Sequence, residues 1–303
     1  VRGFWLIHIM EPVFLETALN GPWSQHRQPL MPISVEALIE EGMACAKIGA
    51  SIIHLHVYDP ATSRQFEDFQ AYKAVIEGIR SECDVIVYPT LPLAGSPDAL
   101  ADYSAEERFA VVEDLAKTGL LEWAVIDPGT TMIAGFDDIE AGDNGFIYKN
   151  SVAEIRYGLQ LAARYQFHPS YAIYEAGFMR LGDALYRSIP NCPAPIYRFM
   201  FSDGFTFGFP PEARFMESYC DLLEGISSDP FWMVAGLRAD ITPLYEVCLR
   251  RGGHLRVGLE DAAFHSPIGN AGLTQNAVDV ISRSGHIVGT ASQLRQRLAS
   301  SGL

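Results

Sequence analysis

Two hydrophobic periods take turns along this chain from one end to the other. Short apolar runs read as buried strands at Val13–Leu19, Ile52–Val57, Asp84–Tyr88, Glu122–Ile126, Tyr171–Tyr174, Ile196–Phe201, Phe231–Ala235 and His254–Leu259. Helical spacing follows each run, over 34–48, 66–80, 104–118, 151–165, 178–188, 211–226, 242–251 and 273–284. Ser34 reads as a cap and Gly49 as a stop, and Ser104 with Glu107 has the form of a capping box. Eight strands, each followed by a helix, predict an α/β fold, a single (β/α)8 TIM barrel over 13–303. No low-complexity linker marks a second domain. The segment Thr131–Asn150 carries acids and glycines and is expected to be a long functional loop. Residues 1–12 include Phe4-Trp5-Leu6-Ile7 without a clear cleavage pattern, and read as a leader or vector remnant outside the fold.

Composition narrows the class. The chain has 303 residues, 49% apolar and 19% charged, enough for one large core. Its formal charge of −15 argues against nucleic acid as a partner. No apolar run is long enough to cross a membrane. Cys45, Cys83, Cys192, Cys220 and Cys248 show no CxxC spacing, and read as free thiols in a reducing cytoplasm.

The polar residues gather where the predicted strands end: Asn20, His54, His56, Thr90, Asp127, Thr130, Glu175, Asp203, Arg238, Glu260 and Asp261. In (β/α)8 barrels that edge is the catalytic face. His54 and His56 are two apart in a strand, so both rings point to one side and can share a metal ion. Two histidines held by ordinary hydrogen bonds fit the pair equally well. Arg256 and Glu260 share a parity on strand eight, which puts Glu260 in reach of the same metal. Two imidazoles and one carboxylate leave coordination positions open for substrate. Asp261 would then lie beside both the metal and Arg256, ionised and able to act as a base. Taken alone, Arg256, Glu260 and Asp261 could equally be a surface charge cluster.

Other chemistries lack their residues. Lys47, Lys73, Lys117 and Lys149 fall on helices or in the long loop, so no lysine is placed for a Schiff base. There is no GxSxG elbow and no GxxxxGK[ST] loop. Cys83 and Cys192 precede strands, away from the catalytic face. His26, His168, His254, His265 and His286 read as structural or solvated, and Arg64, Arg180 and Arg238 as solvated. A bound metal is the best electrophile this chain can offer.

Three segments carry a family resemblance. Ala50-Ser-Ile-Ile-His-Leu-His56, Trp232-Met-Val-Ala-Gly236 and Gly252-Gly-His-Leu-Arg-Val-Gly-Leu-Glu-Asp261 resemble the β-keto acid cleavage enzymes. Leu19-Asn-Gly21, Asp127-Pro-Gly-Thr130 and Tyr174-Glu-Ala-Gly177 fit more loosely, and the match runs from about Val13 to Leu298. The resemblance implies a zinc-dependent transferase that takes a β-keto acid and acetyl-CoA to acetoacetate and a new acyl-CoA by a retro-Claisen route. It implies that His54, His56 and Glu260 hold the zinc and that Asp261, assisted by Arg256, is the base. Thr90 matches a substrate-contacting serine. Asn20, Trp23 and Thr130 join it as candidate substrate contacts. A homo-oligomer, often a tetramer, is also implied.

The chain departs from the aminohexanoate-cleaving members. Their first-loop acid falls at Trp23, an acid on strand five at Ala172, and a threonine on strand four at Val125. The expectation is a neutral or apolar substrate tail, with Phe205, Phe207 and Phe209 either adding to the pocket or simply packing. Two other readings stay open. One is a metal-dependent hydrolase or aldolase on the same barrel, although strands five and six end without the histidines of amidohydrolases. The other is a barrel that binds metal or a CoA ester without turnover, for which a base beside the metal would be superfluous.

Overall fold

The structure, a computed structural model, describes residues 12–92 and 103–300. The expected leader at 1–12 lies outside the described residues, Pro12 excepted. Eight parallel strands form the central sheet: β1 Leu15–Ala18, β2 Ile52–Leu55, β3 Ile86–Pro89, β4 Trp123–Val125, β5 His168–Ile173, β6 Ile196–Phe201, β7 Phe231–Gly236 and β8 His254–Val257. Their order is β3-β2-β1-β8-β7-β6-β5-β4, with β1 paired to both β2 and β8. Helices flank the sheet, and the (β/α)8 barrel nearly closes on itself. At the seam, β3 and β4 meet through side chains, with the rings of Tyr88 and Trp123 5.7 Å apart.

Local chemistry sets the helix starts. The Ser34 hydroxyl accepts from the Ala37 amide at 3.1 Å, and Gly49 ends that helix at φ +142°. The expected capping box forms at Ser104–Glu107, and a second forms at Ser151–Glu154. The second helix begins at Phe69 because Asp68 caps it, not at Phe66. The long segment after β4 is more ordered than expected: Thr131–Ile133 and Phe146–Tyr148 pair as a hairpin around the helix Phe136–Glu140. A last helix, Ala291–Ser300, was not foreseen from the spacing.

Strand eight ends earlier than its pattern suggests. Gly258 sits at φ +135°, and a Cβ there would lie 2.0 Å from the Ala18 carbonyl oxygen. Only glycine can take this backbone against β1, and the chain turns there. The Asp261 and Ala262 amides both bond back to the Gly258 carbonyl. Glu260 and Asp261 therefore stand on a turn at the barrel mouth. Strand parity with Arg256 does not orient them.

Candidate active site

His54 and His56 are buried at the mouth of β2, their rings 5.3 Å apart. His54 belongs to the strand. His56 lies just beyond it, and its backbone is held by a side chain in place of a ladder. The Asn20 amide oxygen accepts from the His56 amide at 2.9 Å, and its Nδ2 donates to the His56 carbonyl at 2.9 Å and to the Pro32 carbonyl at 2.9 Å. Asn20, expected to meet substrate, is thus committed to the backbone and does not line the central cavity. A short amide at a strand end serves either purpose, and here it replaces a missing strand.

Glu260 closes the group. Its Oε2 lies 3.3 Å from His54 Nε2 and 3.5 Å from His56 Nε2. The approach needs Gly21, at φ +68°, where a Cβ would stand 2.6 Å from the Glu260 Cγ. The Trp23 indole also braces the turn, donating to the Glu260 carbonyl at 2.8 Å. His56 Nδ1 lies 2.8 Å from the Gln65 amide oxygen, in the short hairpin Tyr58–Asp59/Arg64–Gln65. That oxygen can only accept, so Nδ1 donates to it, and Nε2 is the atom turned toward Glu260. Among the described residues, neither Glu260 Oε2 nor His56 Nε2 has a hydrogen-bond partner. Buried orphans of this kind are costly unless a cation lies between them. Ligand atoms of His54, His56 and Glu260 all fall within 4.8 Å of one another, which suits one metal ion.

The electrostatics point the same way. Arg256, fully buried, holds three carboxylates. Its Nη1 meets Glu16 Oε1 at 2.9 Å, its Nη2 meets Glu260 Oε1 at 2.9 Å, and Nε and Nη2 grip Asp261 at 2.9 and 2.8 Å. Three carboxyl groups gathered on one guanidinium favour a further positive charge, which a divalent cation would supply. Burial pushes the Glu260 carboxyl up, but the Arg256 guanidinium outweighs it and holds it well below the usual carboxylate range. Burial drives His54 well below its ordinary value, so it stays neutral and free to bind a metal. Asp261 goes the other way. Burial raises it to about 6 against the pull of Arg256, with Glu260 and Glu16 adding to the rise. Arg256 alone therefore does not keep it strongly ionised.

The cavity beside this group has a volume of about 340 Å³. Thr90, Trp23, Val125 and Ala172 all line it, as do Ile133 and Phe146 from the hairpin after β4. Trp23, Val125 and Ala172, the positions expected to shape the substrate tail, thus face one space. Asp261 does not line it. Arg256 borders both this cavity and a neighbouring one of about 390 Å³, and Asp261 lines only the second. The Arg256–Asp261 pair is a wall between two spaces, so Asp261 is not simply beside the histidines as expected. Thr130 is exposed and away from the cavity, its hydroxyl donating to the Asn150 carbonyl at 3.0 Å. Phe205, Phe207 and Phe209 pack: Phe205 stacks on Trp23 at 5.8 Å and Phe209 on Phe215 at 4.4 Å. Arg238 is not solvated, since it pairs with Asp137 at 2.5 Å and lies over Phe264 at 4.9 Å. The cysteines are free, and burial pushes the Cys192 thiol up to about 12, so it is inert.

Two buried charges, Glu16 and Arg198, escaped the sequence reading, and Asp127, noted only as a strand-end residue, joins them in the barrel. Glu16 accepts from the Tyr88 hydroxyl at 2.6 Å as well as from Arg256. On the far wall, Asp127 accepts from the Tyr148 hydroxyl at 2.5 Å and the Ala172 amide at 2.6 Å, with Arg198 beside it. Burial raises Asp127, and Arg198 and Tyr148 partly offset the rise. Glu16 and Arg198 each stand inside an apolar strand, in Leu15-Glu-Thr-Ala18 and Ile196-Tyr-Arg-Phe-Met-Phe201. A lone charge within such a run was the available signal.

A (β/α)8 barrel with a buried His-His-Glu group at its mouth has the residues to hold one metal ion on the face where such barrels carry their chemistry. The comparisons make this specific. The family model for beta-keto acid cleavage enzymes matches residues 12–299, and the chain belongs to that family and is an enzyme. It is 26% identical to the 3-keto-5-aminohexanoate cleavage enzyme of Fusobacterium nucleatum, over 96% of this chain and 99% of that one. It is 22% identical to the 3,5-dioxohexanoate:acetyl-CoA acetone transferase of Paraburkholderia graminis, over 79% and 78%. The solved complex of ObcA with oxaloacetate shares the fold, at a TM-score of 0.70 and 16% identity, covering 89% of this chain and 67% of that one.

Proposed function

We propose that this chain, as one catalytic barrel over 13–303, transfers the acyl group of a β-keto acid to CoA, with zinc held by His54, His56 and Glu260. The balance is R-CO-CH2-COO⁻ plus acetyl-CoA giving acetoacetate plus R-CO-SCoA. The bond between the CH2 carbon and the R-CO carbon breaks, and one between that CH2 carbon and the acetyl carbonyl forms. The observation that carries the reading is the buried pair His56 Nε2 and Glu260 Oε2, 3.5 Å apart and each without a hydrogen-bond partner among the described residues. A bound divalent metal supplies a positive centre for the oxygens of a β-keto acid and acidifies its CH2.

The chain's own groups do the rest. Asp261 takes a CH2 proton, and Arg256 orients it by its two-point grip. A group near pKa 6 suits a base that works close to neutrality. The role requires the Arg256–Asp261 wall to present an Asp261 oxygen to the first cavity when substrate is bound. Thr90 offers a hydroxyl to the substrate head. Val125, Ala172 and Trp23 exclude an ammonium tail by giving it no carboxylate, so the tail is uncharged. The exposed apolar residues Met132, Phe136, Ile139 and Ile147 would be covered in a homo-oligomer, and the free thiols fit a cytoplasmic enzyme.

The test is a coupled reaction. Zinc-loaded protein is incubated with acetyl-CoA and β-keto acids bearing cationic, neutral and apolar tails. Acetoacetate and acyl-CoA are read by mass spectrometry, with His54→Ala and Asp261→Asn beside the wild type. Turnover of uncharged substrates is expected, lost in both variants, with zinc retained in Asp261→Asn. No acetoacetate from any acid, with zinc bound, would return the hydrolase or aldolase reading.

A further inference from the structure

Outside the His54–His56–Glu260 group, Arg198 also lines the central cavity with its hydrogen bonding left short. It is 3% exposed, lies in the middle of β6 and lines the cavity. Its Nη2 reaches Asp127 Oδ1 at 3.5 Å and the Ser170 carbonyl at 3.4 Å, both at the long limit. Its Nε has no partner among the described residues. Asp127 is anchored elsewhere, by the Ala172 amide and the Tyr148 hydroxyl at 2.6 and 2.5 Å, and makes only the long contact with Arg198. A buried guanidinium with an idle donor is a receptor for an acceptor atom that the protein itself does not supply.

Its position says which atom. β6 stands across the barrel from β2, four strands round in either direction. Arg198 is in register with Ala172 on β5, and both line the cavity. A substrate whose head lies at the His54–His56–Glu260 wall therefore extends its tail toward Arg198. The charge of Arg198 is already faced by Asp127, so a carboxylate tail would bring a second anion against Asp127. A neutral oxygen brings none.

We propose that Arg198 is a specificity residue that donates to a neutral carbonyl oxygen in the substrate tail, so the preferred β-keto acid carries a second, uncharged carbonyl. This rests on the reaction proposed above and sharpens its uncharged tail to one with an acceptor.

The test uses the full-length, zinc-loaded protein and a matched set of β-keto acids. One has a ketone in the tail, one a methylene at the same position, and one a terminal carboxylate. Wild type is expected to favour the ketone over the methylene by about tenfold to hundredfold in kcat/KM, the range for a hydrogen bond to a charged group. Arg198→Met should bring that ratio close to one, chiefly through KM for the ketone. Arg198→Met/Asp127→Asn, which removes both charges, serves if the single variant does not fold. Calorimetric binding of the ketone and methylene acids without acetyl-CoA reads the same contact without turnover. A ratio near one in the wild type, a ratio unchanged in both variants, or preference for the carboxylate would each overturn the assignment. A preserved binding ratio with no acetoacetate from any acid would keep Arg198 and reject the reaction instead.

Discussion

The two walls of the central cavity are both buried and both charged, yet they are built to opposite rules. On the β2–β8 wall, Glu16, Glu260 and Asp261 crowd one guanidinium, and two unpartnered atoms face each other. On the β4–β6 wall, one carboxylate meets one guanidinium, and the unpaired atom is a donor. A crowd of carboxyl groups calls for a cation. A balanced pair with a spare donor calls for a neutral acceptor. Under the proposed reaction, the difference gives the substrate's reacting head to one wall and its tail to the other.

The largest effect should come from Arg256. Arg256→Met strips three buried carboxylates of their countercharge and should cost about 3–5 kcal/mol in denaturant unfolding of the metal-free protein. A loss under one kcal/mol would mean the acids are not held as described. Next comes Glu260. Zinc at a thousandfold excess over its dissociation constant should stabilise wild type by about 4 kcal/mol, and Glu260→Gln should abolish most of that gain. Thermal unfolding with and without zinc reads it, and an undiminished gain in the variant would place the metal elsewhere. Gln65→Leu should weaken zinc affinity about tenfold to hundredfold by freeing the His56 tautomer, as competition with a chromogenic chelator would show. Equal affinity would remove the hairpin from the site.

The smallest effect separates ligand histidines from packing ones. His254 is buried at the opposite end of the barrel, its Nδ1 accepting from the Phe14 amide at 3.3 Å, and burial lowers it from 6.5 to about 3. The unfolded chain takes up a proton in that window and the folded chain does not. Stability from this group is therefore full above pH 6.5 and falls as pH drops toward 3, by roughly 2 kcal/mol between pH 6.5 and 5. His254→Asn, which keeps an acceptor, should flatten the slope in urea titrations at the two pH values. An unaltered slope would mean that other groups set the acid limit.

Much of this was legible in the chain. The alternation of periods fixed the barrel because each buried parallel strand is a continuous apolar run. The spacing of His54 and His56 placed two rings on one face. Glu260 and Asp261 were found for a partly mistaken reason: they meet Arg256 through a glycine turn, not through strand parity, and a positive φ leaves no periodic trace. Asn20 and Thr130, expected to meet substrate, brace backbone here, as short polar side chains at strand ends readily do. Glu16 and Arg198 were missed because a single charge inside an apolar strand makes no motif, and its meaning depends on which strands stand beside and across from it. Gln65 sits in a two-residue strand, too short for any period to show.

The most direct test of the account is the metal itself. Protein purified without chelator would be analysed for zinc per chain, with anomalous diffraction at the zinc edge locating the ion, in wild type, His56→Ala and Glu260→Gln. The account predicts one zinc per wild-type chain, lying between His54, His56 and Glu260, and little in either variant. Full zinc occupancy in both variants, or an anomalous peak away from these three residues, would contradict it.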